Sequence, residues 1–105
     1  MSIKKPEGVE SYNATIESIE HIADGLSIFF IKPDEVIPGR LPGHYVSIGL
    51  VDPVKNKLIR RPYSLSQSIT PTHDPSLLEL LIIRVPEGEF TPLLFEQKEG
   101  DRIYV

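Results

Sequence analysis

Apolar residues fall along this chain in short runs cut apart by proline and glycine, and that spacing predicts strands rather than long helices. The run LSIFFIKP, Leu26–Pro33, is rich in β-branched and aromatic residues, follows the turn signal ADG and stops at a proline. In HYVSIGL, Tyr45 alternates with Val46, Ile48 and Leu50 on the opposite face, the period of a half-buried strand. Two Pro-Gly turn elements in EVIPGRLPG precede it, and the loop VDPVKN separates it from a further strand, KLIRRPYSLS. The stretch QSITPTHDPS reads as another loop. The nearly continuous apolar run LLELLIIRV, Leu77–Val85, then suits a strand buried on both faces. The first apolar stretch, YNATIESIEHI, is read as a strand for its β-branched content, although Ile16, Ile19 and Ile22 recur every third residue and would also suit a helix.

The end of the chain, EGEFTPLLFEQKEGDRIYV, combines a helix and a strand. Thr91 has the chemistry of an N-cap and Pro92 can take the first helical position, where its missing amide costs nothing. Leu93, Leu94 and Phe95 continue the helix to about Gln97, and a last strand runs from Arg102. Six short strands and one helix predict an all-β fold, a six-stranded antiparallel Greek-key barrel with one short capping helix. Closing the barrel also removes the edge that the apolar run Leu77–Val85 would otherwise expose.

Composition narrows the picture. The 105 residues are enough for one domain and too few for two of usual size. A net charge of −4 gives no general attraction for nucleic acid or anionic membrane, so an anionic ligand has to be met by a local cluster. No apolar run approaches the roughly 18 residues that span a bilayer, and MSIKKPEGVE has no apolar stretch behind its basic pair, so a cytoplasmic location is expected. The absence of cysteine agrees with that compartment. His21, His44 and His73 lie too far apart in sequence to mark a metal site, and none is assigned.

The local cluster is Arg60–Arg61, in IRRPYSLSQS. Period-two geometry puts Arg61 and Tyr63 on one face of the strand and Arg60 with Ser64 on the other. A guanidinium grips phosphate oxygens in bidentate fashion, and a tyrosine offers a flat apolar surface with a hydroxyl, so the pair suits a planar aromatic group that carries phosphate. Pro62 between them interrupts the ladder where a ligand could approach the backbone. The same spacing serves an edge strand with solvated arginines and a packed tyrosine. A second place is the start of the helix, where free amides favour an anion and Gly88 lets a backbone come close. An ordinary helix plugging one end of a barrel has the same sequence features.

RRPYSLSQS resembles the R-x-Y-S flavin motif of the ferredoxin-NADP reductase superfamily, and PGHYVSIGL is similar to the strand that precedes that motif. IIRVPEGEFTPLLFEQKEGDRIYV resembles the segment that follows, a strand, a Gly-x-x-[Ser/Thr] phosphate turn, a short helix and a Gly-Asp pair before the last strand. The likeness runs over about Tyr12 to Val105 and is closest to bacterial ferredoxin-NADP reductases. It implies that Arg61 binds the pyrophosphate of FAD, that Tyr63 packs against the isoalloxazine, and that Ser64 hydrogen-bonds near the reactive flavin nitrogen, Tyr63 and Ser64 being the catalytic pair. Pro62 belongs to the same motif. Gly88 and Thr91 would hold the pyrophosphate from the helix side, and Ile82, Ile83 and Val85 would line the pyrimidine edge. His44 stands where the family often has glutamine.

The resemblance further implies an enzyme that passes electrons between NAD(P)H and ferredoxin or flavodoxin through FAD. The family's nucleotide-binding domain would follow Val105, so residues 1–105 are expected to be the flavin barrel alone, inactive without that second domain or a separate chain. The alternative class is a small barrel that docks protein or RNA without flavin. The acidic balance and the lack of a basic stripe with interleaved aromatics count against RNA.

Overall fold

The computed structural model describes residues 11–35, 44–66 and 76–105. The two expected Pro-Gly turns at 38–39 and 42–43, most of the QSITPTHDPS loop with His73, and the N-terminal stretch lie outside the described residues. Strand β1 (Ala14–Ala23) pairs antiparallel with β2 (Leu26–Pro33), and β2 pairs on its other side with β5 (Leu78–Ile83). At its start β1 also pairs with the two-residue strand β6 (Arg102–Ile103), giving a sheet in the order β5-β2-β1-β6. Strands β3 (Tyr45–Asp52) and β4 (Lys57–Ser64) form a separate antiparallel hairpin, and the helix α1 covers Thr91–Phe95.

The fold is all-β apart from that helix, and the six expected strands are present. They form two curled sheets joined by short seams rather than one continuous ladder. At one seam Gly49 and Tyr104 exchange both backbone hydrogen bonds, at 2.9 and 3.0 Å, which ties β3 to the residue after β6. At the other, the Ser66 amide just past β4 donates to the Glu79 carbonyl of β5 at 2.8 Å. Gly49 is confined on the side of β4, where a Cβ would meet the Ile59 carbonyl at 3.2 Å and Leu58 Cδ1 at 3.1 Å. Between the sheets lie Ile16, Phe29, Ile31, Ile48, Leu80, Ile82, Leu94 and Ile103, all fully buried. Burying one such side chain stabilises by about 1.5–3 kcal/mol against about 1 kcal/mol net for a hydrogen bond. Packing therefore holds the sheets together more than the seams do.

Strand β1 shows why every third residue is isoleucine. Ile16 faces Ile31 and Ile19 faces Phe29, both partners inward, because a bulge between Ile16 and Ser18 inserts one extra residue. A second irregularity between His21 and Ala23 leaves Ile22 exposed. The strand reading holds, and the helix-like spacing is the signature of the bulge.

Two expectations are corrected. Strand β5 is not buried on both faces: Leu78, Leu80 and Ile82 are buried, whereas Leu81 and Ile83 are 52% and 67% exposed. An antiparallel sheet with one packed face needs cover on that face only. Thr91 is not the N-cap. It is the first residue of α1, Phe90 holds the capping position, and no side chain caps the helix. The Thr91 hydroxyl instead accepts from the Val85 amide at 2.7 Å and donates to the Val85 carbonyl at 3.1 Å.

Candidate ligand-binding site

Strand β4 delivers the site. In its register with β3, Arg61 lies opposite Ile48 and Tyr63 opposite Val46, so both stand on the face that packs toward the core. Arg60 lies opposite Gly49 on the other face, with its guanidinium 5.8 Å above the Tyr104 ring. The expected division between the two arginines is therefore the one observed.

The far wall comes from the turn between β5 and α1. The two Thr91–Val85 hydrogen bonds and a third from the Gly88 amide to the Val85 carbonyl at 2.9 Å draw residues 85–91 into a closed loop. Gly88 is confined there, since a Cβ would meet the Val85 carbonyl at 3.2 Å. Folding the loop back sets the Phe90 ring 6.2 Å from that of Tyr63, tilted by 40°. The result is an open pocket of about 290 Å³ lined by Arg61, Pro62, Tyr63, Val85, Gly88, Glu89, Phe90 and Thr91.

Of the nine residues expected at the site, Arg61, Pro62, Tyr63, Val85, Gly88 and Thr91 converge on this pocket. Ser64 follows at the exposed end of β4, paired with Tyr45 on the Arg60 face. Ile82 is fully buried in the core opposite Ser27, and Ile83 points to the outer face. Thr91 shapes the wall through Val85. Glu89 and Phe90 line the pocket and were not singled out in the sequence. An apolar residue directly before the helix signals Phe90, but an acidic residue inside a phosphate-type turn gives no such cue.

Glu89 dominates the electrostatics. Its carboxylate accepts from Lys55 Nζ, and its other oxygen lies 3.5 Å from Arg61 Nη2. Lys55 is brought there by the β3–β4 turn, where the Asp52 side chain accepts from the amides of Val54 at 2.8 Å and Lys55 at 3.3 Å and Asn56 takes φ 54°. The hydrogen bond from Lys55 holds the Glu89 carboxyl below the ordinary carboxylate value, and the same bond raises the lysine. Arg61 Nη1 donates to the Arg60 carbonyl at 2.7 Å, which fixes the guanidinium at the pocket mouth. Burial pushes the Tyr63 phenol up, partly offset by the Arg61 charge. Near neutral pH the pocket thus presents a neutral phenol, an ionised carboxylate and the Arg61 cation, with Lys55 outside the lining and paired to the carboxylate. Such a set binds and orients a ligand.

The chain has the fold found within several solved FAD-containing and reductase structures, in line with the resemblance of its motifs. Among solved structures it is similar to flavohemoglobin from Malassezia yamatoensis with bound FAD and heme, at 19% identity and a TM-score of 0.73 over 88% of this chain and 23% of that one. It is similar to a ferredoxin NADP+ reductase from Neisseria gonorrhoeae with bound FAD and NADP, at 21% identity and a TM-score of 0.67 over 89% of this chain and 35% of that one. The ferredoxin reductase in carbazole 1,9a-dioxygenase matches at 28% identity and a TM-score of 0.67, over 88% of this chain and 26% of that one. The chain thus spans about a third or less of each of these proteins. No family model and no curated protein matches it. Among the described residues no helix is long and apolar enough to cross a membrane.

Proposed function

We propose that this chain is the flavin-binding domain of an NAD(P)H-dependent oxidoreductase, holding FAD at the Arg61–Tyr63 pocket and serving electron transfer between a nicotinamide nucleotide and ferredoxin, flavodoxin or a similar one-electron carrier. The observation that carries this reading is the convergence of Arg61 and Tyr63 on one pocket against the 85–91 turn. The residues fit such a group. An apolar wall of Tyr63, Val85 and Phe90 suits a planar ring system, and Arg61 at the mouth suits a diphosphate. When bound, the flavin supplies the interconversion of two-electron and one-electron transfer.

The chain's own residues bind and position. Arg61 grips the diphosphate, Tyr63 packs against the ring, and Pro62 leaves the backbone between them without an amide. Gly88 and Thr91 keep the turn tight enough to face the phosphates, and Val85 closes the apolar side, with Ile82 behind it in the core and Ile83 continuing the strand. Ser64 stands outside the pocket lining, on the other face at the end of β4, and is the hydroxyl for the reactive edge of a ring that extends past that end.

An open pocket of about 290 Å³ is at the small end of the ~300–1,000 Å³ range of ligand sites, so it encloses only part of a dinucleotide. The nicotinamide site then belongs to a further domain or a separate chain, which agrees with the share of the similar structures that this chain spans. The 105-residue chain alone is expected to bind FAD weakly and to show no NAD(P)H oxidation above that of free flavin. Titrating the purified chain with FAD, and assaying NADPH and NADH oxidation with and without an added nucleotide-binding domain, tests this. Turnover by the chain alone would overturn the division of labour, and no FAD binding would overturn the assignment.

A further inference from the structure

The carboxylate at the mouth of the pocket is of the wrong sign for a site that takes an anion. Its two oxygens face two different cations, Lys55 on one side and Arg61 on the other. The two cations lie six residues apart on the β3–β4 hairpin, one in the turn and one in the middle of β4, and Glu89, 28 residues beyond Arg61, bridges them. A bridging carboxylate presents two anionic oxygens to two cations, as one phosphate group would.

We propose that Glu89 is a displaceable stand-in for the ligand's phosphate, and that Lys55 is a second cation of the diphosphate site beside Arg61. This rests on the flavin reading given above. Among the described residues the Glu89 side chain is held by the contacts to Lys55 and Arg61, and it is 49% exposed. It can swing to solvent when a phosphate arrives, leaving Lys55 and Arg61 to the incoming oxygens. Exposed ion pairs are weak individually, so the exchange is reversible. The device makes Glu89 a specificity residue. A ligand must bring enough negative charge to replace the carboxylate, which favours FAD over a flavin lacking phosphate and keeps the cations satisfied meanwhile.

The test measures affinities of FAD, riboflavin and inorganic pyrophosphate for the full chain and for Glu89→Gln and Lys55→Met, with thermal unfolding of each. Glu89→Gln keeps the shape and removes the competing charge. It is expected to tighten FAD and pyrophosphate about three- to tenfold and leave riboflavin unchanged. Lys55→Met is expected to weaken both phosphate ligands about two- to fivefold, again without effect on riboflavin. A merely structural Glu89 would move the unfolding temperature but not the ratio of FAD to riboflavin affinity. FAD binding that is unchanged or weaker in Glu89→Gln overturns the stand-in while the flavin reading survives. Pyrophosphate tightened by Glu89→Gln with no FAD binding to any variant supports the stand-in and overturns the flavin reading. Failure of both ligands to bind any variant overturns both.

Discussion

Arg60 and Arg61 are adjacent in sequence and opposite in surroundings: one lies over Tyr104 on the outer face, the other at the mouth of the pocket beside Glu89. That separation was legible, because a strand alternates its faces whatever else it does. It yields a contrast between neighbours. Arg61→Ala is expected to weaken FAD binding by about 1.5–3 kcal/mol, the worth of a hydrogen bond to a charged group. Glu89 was not legible, because its partner Lys55 is 34 residues away and meets it only once both turns have folded. Thr91 was legible as a polar residue before a helix, but its role was not. The competing acceptor and donor are the backbone of Val85, six residues earlier. Thr91→Val keeps the volume and strands the Val85 amide, so chemical denaturation is expected to show a loss of about 1–3 kcal/mol.

At the scale of elements, the strands were legible from β-branched runs and the boundaries set by proline and glycine. Departures come from tertiary context. A bulge in β1 mimics helical spacing, and an uncovered outer face lets β5 be apolar without being buried. The closure of the two sheets rests on a position whose importance no pattern marks. Gly49 admits the Tyr104 backbone on one side and Arg60, Leu58 and the Ile59 carbonyl on the other. Of these neighbours the terminal Leu58 methyl gives way most readily, whereas Arg60 Cγ lies near the root of its side chain and the Ile59 carbonyl is backbone. Gly49→Ala is therefore expected to cost about 1–3 kcal/mol, as overpacking does, and to lower the unfolding midpoint. An unchanged midpoint would mean that the seam yields without loss.

Across the whole molecule, Arg102 ties the last strand to the first. Its guanidinium donates to the Asp34 carboxylate at 2.7 and 2.5 Å and to the Thr15 hydroxyl at 2.8 Å, binding β6 to the start of β1 and the segment after β2. The hydrogen bonds from Arg102 hold the Asp34 carboxyl below its ordinary value. A depressed carboxyl contributes stability that is present above its unfolded pKa, about 3.9, and is lost as pH falls through the lower folded value. Wild-type protein is thus expected to lose stability in acid below about pH 4, and Asp34→Asn to lose less over the same range while starting lower. Thermal unfolding from neutral pH into acid checks the slope, and identical slopes would count against the pair.

The central claim, that this barrel is a flavin domain whose pocket is built by Arg61, Tyr63 and the 85–91 turn, is tested most directly by FAD titrations of the wild-type chain, Arg61→Ala and Arg60→Ala followed by flavin fluorescence. Saturable FAD binding, weakened about tenfold or more by Arg61→Ala and less than threefold by Arg60→Ala, is the predicted result. No saturable binding by wild type, or equal binding by all three, would contradict it.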